Sequence, residues 1–251
     1  VPVKREQLPP IDAVLLSHDH YDHLDYPTVR MLARMQVPFI TSLGVGAHLE
    51  AFGVLPERIT ELDWWQTHRL PGFEIEVTAG PSQHFSGRGL KDRNATLWSS
   101  LTVRSARHKV FFSGDTGLTT QFTEVGQRLG PFDLVMLEVG AHHPAWGDIH
   151  LGPVNALEAL QMLGGGAFLP VHWGTFSLAM HDWDDPAEQL LRRGPAQGAQ
   201  LLMPQLGQPV EPAHGPLAQP WWRAPELQGD GPVPDPTTAE TPPRSMPWPI
   251  D

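Results

Sequence analysis

The chain has 251 residues, enough for one large domain or two small ones, and a formal net charge of −11. This acidic balance disfavours nucleic-acid binding, whose affinity comes mostly from neutralised phosphates. There is no Cys, which excludes disulfides, thiolate metal ligands and a Cys nucleophile, whereas 13 His are consistent with metal or acid–base chemistry. No apolar run is long enough to predict a transmembrane helix, and no signal peptide is visible.

The hydrophobic pattern alternates short strands and helices over residues 1–207. In chain order it predicts a strand at 11–17, helices at 26–35 and 45–52, strands at 73–78, 97–103 and 110–113, a helix at 119–129, a strand at 134–139, a helix at 154–163, a strand at 167–171, a helix at 185–193 and a short strand at 201–203. Strands and helices interleaved in this way favour an α/β layered domain.

The composition changes after Gly207. Residues 208–251 hold 12 of the 27 prolines, and proline neither donates to a sheet nor continues a helix. We therefore predict a domain over 1–207 and a Pro-rich tail over 208–251 that is extended or disordered, or that packs extended on the domain. The indoles of Trp221, Trp222 and Trp248 would either contact a membrane interface or pack on the domain surface.

Four ligand-type side chains follow the first predicted strand in the segment "SHDHYDHLD": His18, His20, Asp22 and His23. His18 and His20 project the same way if the chain is still extended, and Asp22 and His23 then lie on the following turn. Two adjacent clusters of nitrogen and oxygen ligands suit two metal ions. Without thiolates these ligands fit Zn²⁺, with Mn²⁺ or Fe²⁺ as alternatives.

Three more ligand-type residues stand where a predicted strand gives way to a loop. They are His84 after "GPSQ", Asp115 in "FFSGDTG" and His172 in "LPVHWGTF". One such placement means little, but three of them together with the first cluster indicate a metal site assembled from several strand ends.

These motifs resemble the metallo-β-lactamase-fold hydrolase superfamily. The segments "PPIDAVLLSHDHYDHLDYPTV", "PSQHFSGRGLKDRNATLW" and "VHWGTF" are similar to the branch of N-acylphosphatidylethanolamine-hydrolysing phospholipases D, to which bacterial ascorbate-lactonase-like proteins are related. The resemblance covers about residues 9–207. It implies an α/β fold of the αββα sandwich type, with two mixed sheets, helices outside and the metals at one edge.

The resemblance also implies roles for the matched positions. His18, His20 and His84 would bind the first ion, Asp22, His23 and His172 the second, and Asp115 would bridge the two. A hydroxide between two Zn²⁺ ions would be the nucleophile, which makes Asp22 and Asp115 part of the catalytic machinery.

The chain departs from the family at its beginning. Family members normally start with a strand pair that carries a Gly-His-Ala/Ser-Thr-like motif, and nothing before Ile11 matches it. Either those strands precede Val1, or the first sheet closes differently here.

Three cations crowd the loop after His84 in a chain that is otherwise acidic: Arg88, Lys91 and Arg93. They would recognise an anionic phosphate beside the metals, or they belong to a solvated loop with salt bridges to residues such as Asp92.

Other residues are candidates for substrate contacts. His150, just before a predicted helix, would donate a proton to the leaving group or bond the backbone at the helix start. His142 and His143 would line the pocket. Asp25 would orient a ligand histidine or cap the helix that begins at Tyr26.

The sequence therefore predicts a dinuclear-metal hydrolase, most simply a phosphodiesterase of phospholipase D type acting on N-acylphosphatidylethanolamine or a related phospholipid. A lactonase or esterase using the same metals is the alternative, and a non-catalytic metal-binding scaffold is the remote one. The expected partners are a phospholipid or small anionic substrate and a membrane surface contacted peripherally, with an oligomer left open. The expected location is cytoplasmic or peripheral on the inner membrane face.

Overall fold

The computed structural model describes residues 8–175, 179–214 and 218–223. A parallel three-stranded sheet has the order β1 (Val14–Leu16), β2 (Phe39–Ser42) and β3 (Ile59–Leu62). The second sheet has seven strands in chain order, β4 (Thr67–Arg69), β5 (Glu76–Gly80), β6 (Ser100–Arg104), β7 (Lys109–Phe112), β8 (Leu134–Glu138), β9 (Ala167–Val171) and β10 (Gln200–Leu201). Its strands pair antiparallel from β4 to β7 and parallel from β7 to β10.

Within the described ranges, five α-helices accompany the sheets: α1 (Tyr26–Leu32), α2 (Gly46–Ala51), α3 (Gln121–Leu129), α4 (Gly152–Met162) and α5 (Asp185–Arg193). Three apolar clusters show how the layers stack. One joins α1 and α2 to the first sheet, the second lies between the sheets, and the third lies under α3, α4 and α5. Adjacent residues on β2 divide between two of these clusters, Phe39 facing the helices and Ile40 the second sheet, because successive strand side chains point to opposite faces. The predicted αββα sandwich is confirmed.

Three strands were not predicted, namely β2, β3 and β4. In β2 all four residues are buried although Thr41 and Ser42 are polar, so no apolar run marks the strand. Burial of Ser42 is possible because its hydroxyl donates to the carbonyl of Ser17 at 2.7 Å. The strand predicted at 73–78 is instead β5 at 76–80. Within the described residues no strand precedes β1, which pairs only with β2.

The start of the Pro-rich segment packs on the domain. Trp222 is buried, and its indole N–H donates to Glu188 on α5 at 2.8 Å. The Arg223 guanidinium donates to both oxygens of the same carboxylate. The Trp221 and Trp222 rings contact Trp173, which follows β9. Residues 218–223 thus pack on the domain, while Trp248 lies outside the described residues.

Candidate metal centre

The ligand-type residues gather at one edge of the sandwich. Strands β5, β7 and β9 run in the same direction, so their carboxyl ends meet at one edge of the second sheet. His84, Asp115 and His172 follow these three ends. The segment from His18 to His23 follows β1 of the first sheet and reaches the same place.

The first ligand set consists of His18, His20, His84 and Asp115. His20 Nδ1 lies 3.0 Å from His18 Nε2 and 3.2 Å from His84 Nε2. Asp115 Oδ2 lies 3.9 Å from His18 Nε2 and 3.8 Å from His84 Nε2. Ligand atoms around a tetrahedral Zn²⁺ lie about 3.3 Å apart, so this spacing fits one ion.

The second ligand set consists of Asp22, His23, His172 and, again, Asp115. His23 Nε2 lies 3.1 Å from Asp115 Oδ1 and 3.6 Å from Asp22 Oδ2. His172 Nε2 lies 3.3 Å from Asp22 Oδ2 and 3.5 Å from Asp115 Oδ2. Asp115 Oδ2 therefore lies within reach of both sets, the position of a bridging ligand.

Unpaired polar atoms at the centre of the site support metal binding. Among the described residues, Asp115 Oδ1 and His23 Nε2 are buried 3.1 Å from each other, and neither atom makes a well-formed hydrogen bond. Such atoms are costly to bury unless a ligand satisfies them. A metal ion would satisfy both, and the nitrogen and carboxylate donors are of the type that Zn²⁺ accepts.

The side chains of the first ligand set are in the protonation states that bind a metal cation. Burial lowers the pKa of His18 and His20, and it lowers the pKa of His84 to about 4. The imidazoles are thus neutral at pH 7, the form that binds metal. For Asp115 burial alone would raise the pKa, but the close contact with His23 and the charges of His23 and His172 outweigh it and hold the pKa well below its usual range.

Contacts outside the ligand sets orient the histidines. His84 Nδ1 donates to the carbonyl of Ile149 at 2.9 Å, which leaves Nε2 for the metal. His18 Nδ1 hydrogen-bonds the hydroxyl of Ser17 at 3.0 Å. His172 adopts φ +62°, and a Cβ on Gly140 would overlap the main-chain oxygen of His172. Only glycine fits at position 140, where the ends of β8 and β9 converge.

Arg88 points into the protein and not to the metals. Its Nη1 donates to the carbonyls of Asp19 at 2.6 Å and Leu24 at 2.9 Å, on either side of the segment that holds His20, Asp22 and His23. Its guanidinium also stacks 4.1 Å from the Tyr21 ring centroid. With these contacts Arg88 Nη1 holds the metal-binding loop, and the phosphate-binding role expected from sequence stays a prediction.

The other two cations of this loop differ from Arg88. Lys91 is exposed. Arg93 lies over Phe85 at 4.5 Å, and Phe85 packs against the rings of His20 and His84. Arg93 is therefore separated from the first ligand set by the ring of Phe85 alone.

His150 lies beside the second ligand set, where it contacts Glu138, a residue that the sequence analysis did not predict. Its Nδ1 lies 3.0 Å from Oε1 of the fully buried Glu138, and its ring stacks 5.6 Å from that of His172. The sequence offered one sign of Glu138, a lone acid at the end of an apolar strand. Asp25 caps α1, since its Oδ2 accepts from Thr28 N at 2.9 Å.

His142 and His143 flank His150 in a polar cavity of about 280 Å³. His142 stacks on His181, and His143 Nδ1 accepts from Ala145 N at 3.1 Å. On the other side of the site, a groove of about 370 Å³ reaches Asp22, His23 and His172. Most of the remaining groove residues are apolar, and they include Leu169, Pro170, Val171, Trp173, Met203 and Leu206.

A four-layer αββα sandwich with histidine and aspartate sets at one edge defines a metallo-β-lactamase-fold protein. The model of the beta-lactamase superfamily domain matches residues 1–173, and the chain belongs to this family. The superfamily resemblance seen in the sequence is confirmed.

Relatives and solved structures agree with this assignment. An uncharacterised protein of Mycobacterium tuberculosis is 47% identical over 226 residues, which are 88% of this chain and 60% of that protein. N-acyl-phosphatidylethanolamine-hydrolyzing phospholipase D 1 of Caenorhabditis elegans is 33% identical over 72% of this chain and 54% of its own length. The isothiocyanate hydrolase from Delia radicum gut bacteria has a TM-score of 0.65 and 21% identity, with coverages of 84% and 80%, and it shares the fold.

The chain spans about 60% or less of these curated relatives. Among the residues that the structure describes, none of the helices has the length and apolarity needed to cross a membrane.

Proposed function

We propose that this chain is a dinuclear-metal-dependent hydrolase. The observation that carries the proposal is the pair of ligand sets that share Asp115, whose Oδ1 is buried without a hydrogen-bond partner among the described residues. Eight ligand positions for seven residues require one carboxylate to serve both sets, and Asp115 Oδ2 has the distances to do so.

The residues divide the work between them. His18, His20 and His84 would hold one ion, Asp22, His23 and His172 the other, and Asp115 both. Two Zn²⁺ ions, or Mn²⁺ or Fe²⁺, would supply an activated water and offset the charge that grows on a phosphoryl or acyl oxygen. The ligand carboxylates, both with lowered pKa, are ionised at pH 7 and need no deprotonation to bind.

The substrate we propose is the phosphodiester of an N-acylphosphatidylethanolamine or a related phospholipid. Two observations support it: the groove beside the second ligand set is lined mainly by apolar side chains, and a relative named for this activity is 33% identical. An acyl chain would bury its methylenes in the groove, each contributing about 0.8 kcal/mol. Peripheral contact with a membrane surface would then deliver the substrate.

Arg88 supports a second candidate, a lactonase or esterase. A phosphodiester retains a negative charge before reaction, and the cation expected to grip it instead bonds the carbonyls of Asp19 and Leu24. A neutral lactone would not need that cation.

Metal analysis of an Asp115 variant tests the metal centre. Asp115→Ala should retain fewer than one of two bound ions and lose at least about a thousandfold in turnover, since both ligand sets lose a member. Asp25→Asn is the matched control, because Asp25 caps α1 and should leave metal content unchanged. No more than one ion in the active wild type would refute the dinuclear proposal.

A substrate panel separates the two candidates. Metal-loaded protein would be assayed on an N-acylphosphatidylethanolamine in micelles, a small lactone and bis(p-nitrophenyl) phosphate. The first proposal requires the highest kcat/KM on the phospholipid. A kcat/KM at least tenfold higher on the lactone would establish the second.

A further inference from the structure

A buried carboxylate lies beneath the metal centre and has no part in either ligand set. Glu138 is the last residue of β8 and is fully buried. Strands β7 and β9 lie on either side of β8 and lead to Asp115 and His172. Its side chain therefore sits between two loops of the site.

One oxygen of Glu138 determines which nitrogen of His150 carries a proton. Oε1 accepts from the main-chain N–H groups of Leu151 at 2.9 Å and Thr116 at 3.3 Å. Since Oε1 acts as an acceptor, the hydrogen in its 3.0 Å contact with His150 belongs to Nδ1. This leaves Nε2 as the nitrogen of His150 free for other partners.

His150 occupies a position between the two ligand sets. Its ring centroid is 5.1 Å from that of His84 in the first set, and it stacks nearly parallel to His172 of the second set at 5.6 Å. It also lines the polar cavity with His142 and His143. With Nδ1 committed to Glu138, Nε2 is the nitrogen that a substrate in that cavity would meet.

The other oxygen of Glu138 faces a metal ligand. Oε2 lies 3.9 Å from His172 Nδ1, and within the described ranges both atoms are buried without a hydrogen-bond partner. A carboxylate behind the second nitrogen of a ligand histidine orients the ring and strengthens its binding to metal. His172 also has a positive φ, so its position depends on such outside support.

We propose that Glu138 is a positioning residue for both halves of the centre, its Oε1 fixing the tautomer of His150 and its Oε2 orienting His172 toward the metal. The inference rests on the metal centre of the proposed function. It assigns to Glu138 no contact with substrate or reacting atoms.

Glu138→Gln and Glu138→Leu separate the two roles. The glutamine oxygen can still accept from Leu151, Thr116 and His150, but its amide group would then face His172 Nδ1 with donors. We expect Glu138→Gln to keep the single His150 tautomer and to weaken the second metal equivalent by about 10- to 100-fold. Glu138→Leu should lose the single tautomer as well.

The measurements need no substrate. Nitrogen-15 NMR of labelled full-length protein, with and without Zn²⁺, reports the tautomer of His150, and chelator competition reports both metal affinities. Asp133→Asn is the matched control, because Asp133 stands at the opposite end of β8 and accepts the main-chain N–H of Lys109. It should change neither readout.

Three results would overturn the proposal. One is a Glu138→Gln protein that binds the second ion as the wild type does. Another is a Glu138→Leu protein with an unchanged His150 tautomer; if this variant fails to fold, Glu138→Gln decides. The third is a third Zn²⁺ equivalent in the wild type that Glu138→Gln loses, since Glu138, His150 and His172 would then be ligands themselves. A wild type that binds no metal would end the proposed function, while the tautomer of the metal-free protein would still test Glu138.

Discussion

His84 of the first ligand set and His172 of the second differ in charge when no metal is bound. Burial holds the pKa of His84 at about 4, so this ligand is neutral at pH 7. For His172 burial also favours the neutral form, but the hydrogen bond to Asp22 and the charges of Asp115 and Glu138 outweigh it and raise the pKa to about 9. A metal ion must therefore displace a proton from His172 but not from His84.

Metal binding should consequently depend on pH in the second set and not in the first. Below pH 9 His172 carries its proton, so the affinity of the second ion should rise about tenfold per pH unit between pH 7 and 8.5. The affinity of the first ion should stay nearly constant over that range. Chelator competition at several pH values measures both, and equal slopes for the two ions would contradict the assignment.

Arg88 contributes to the site through the backbone that it binds. Its Nη1 joins the carbonyls of Asp19 and Leu24, which bracket the segment that holds His20, Asp22 and His23. A hydrogen bond from a charged donor to protein contributes about 1.5–3 kcal/mol, and both bonds keep this loop in place.

Arg88→Ala should lower the free energy of unfolding by about 1–3 kcal/mol and reduce activity on a phosphodiester and on a lactone by similar factors. Urea unfolding and parallel kcat/KM measurements check this. Arg93→Ala is the control for loss of one cation from the same loop, and it should leave stability within about 0.5 kcal/mol. A selective loss on the phosphodiester in a fully stable Arg88→Ala protein would restore the phosphate-binding role.

At the scale of elements, the segment at 218–223 acts as a strap across α5 and the turn after β9. Glu188 on α5 receives the indole N–H of Trp222 and the guanidinium of Arg223. The same indole lies edge-on to Trp173 at 5.3 Å. Trp173 directly follows His172 and lines the apolar groove, so the strap supports a metal ligand from outside the family-matched region.

Truncation at two points tests the strap. Removal of residues 208–251 should cost about 3 kcal/mol or more relative to removal of residues 224–251, as expected for loss of the buried Trp222. It should also weaken the second metal equivalent. Thermal or urea unfolding with metal analysis distinguishes the two, and identical behaviour of both truncations would show that the strap has no structural role.

At the scale of the whole molecule, the site lies between an apolar groove and a polar cavity. The groove borders the second ligand set, and the polar cavity borders His150. Because His150 stacks on His172, the two spaces meet beside the second ligand set. This arrangement suits a substrate with an apolar and a polar end.

A charged side chain in the groove should weaken the binding of a long-chain substrate and leave a short soluble substrate unaffected. Leu206→Asp should raise KM for a long-chain phospholipid at least about tenfold while kcat/KM for a short soluble phosphodiester stays within twofold, since only the long chain fills the groove. Leu90→Asp is the control, because Leu90 is 95% exposed and does not line the groove. Equal effects of Leu206→Asp on both substrates would rule out the groove as the acyl site.

Most elements of the sandwich could be predicted because their hydrophobic pattern is local. Helix α5 and strand β9 have the predicted limits, and α3, α4, β7 and β8 lie within two residues of theirs. The hydrophobic pattern did not predict β2, β3 and β4 because these strands are short and mix polar with apolar residues. Their place in the sheets depends on pairing with strands elsewhere in the chain.

By itself the sequence indicated an α/β layered domain, the ligand types and the strand ends that bear them, since these follow from residue chemistry and local periodicity, and the αββα class was implied by the family resemblance. The tertiary structure decided that Asp115 Oδ2 reaches both ligand sets, that Arg88 Nη1 bonds the backbone of the ligand loop and that Glu138 lies against His150. The physical reason is distance along the chain. Arg88 donates to the carbonyl of a residue 69 positions away in sequence, and Asp22 contacts His172, which is 150 positions away. Such contacts exist only after the sheets have packed.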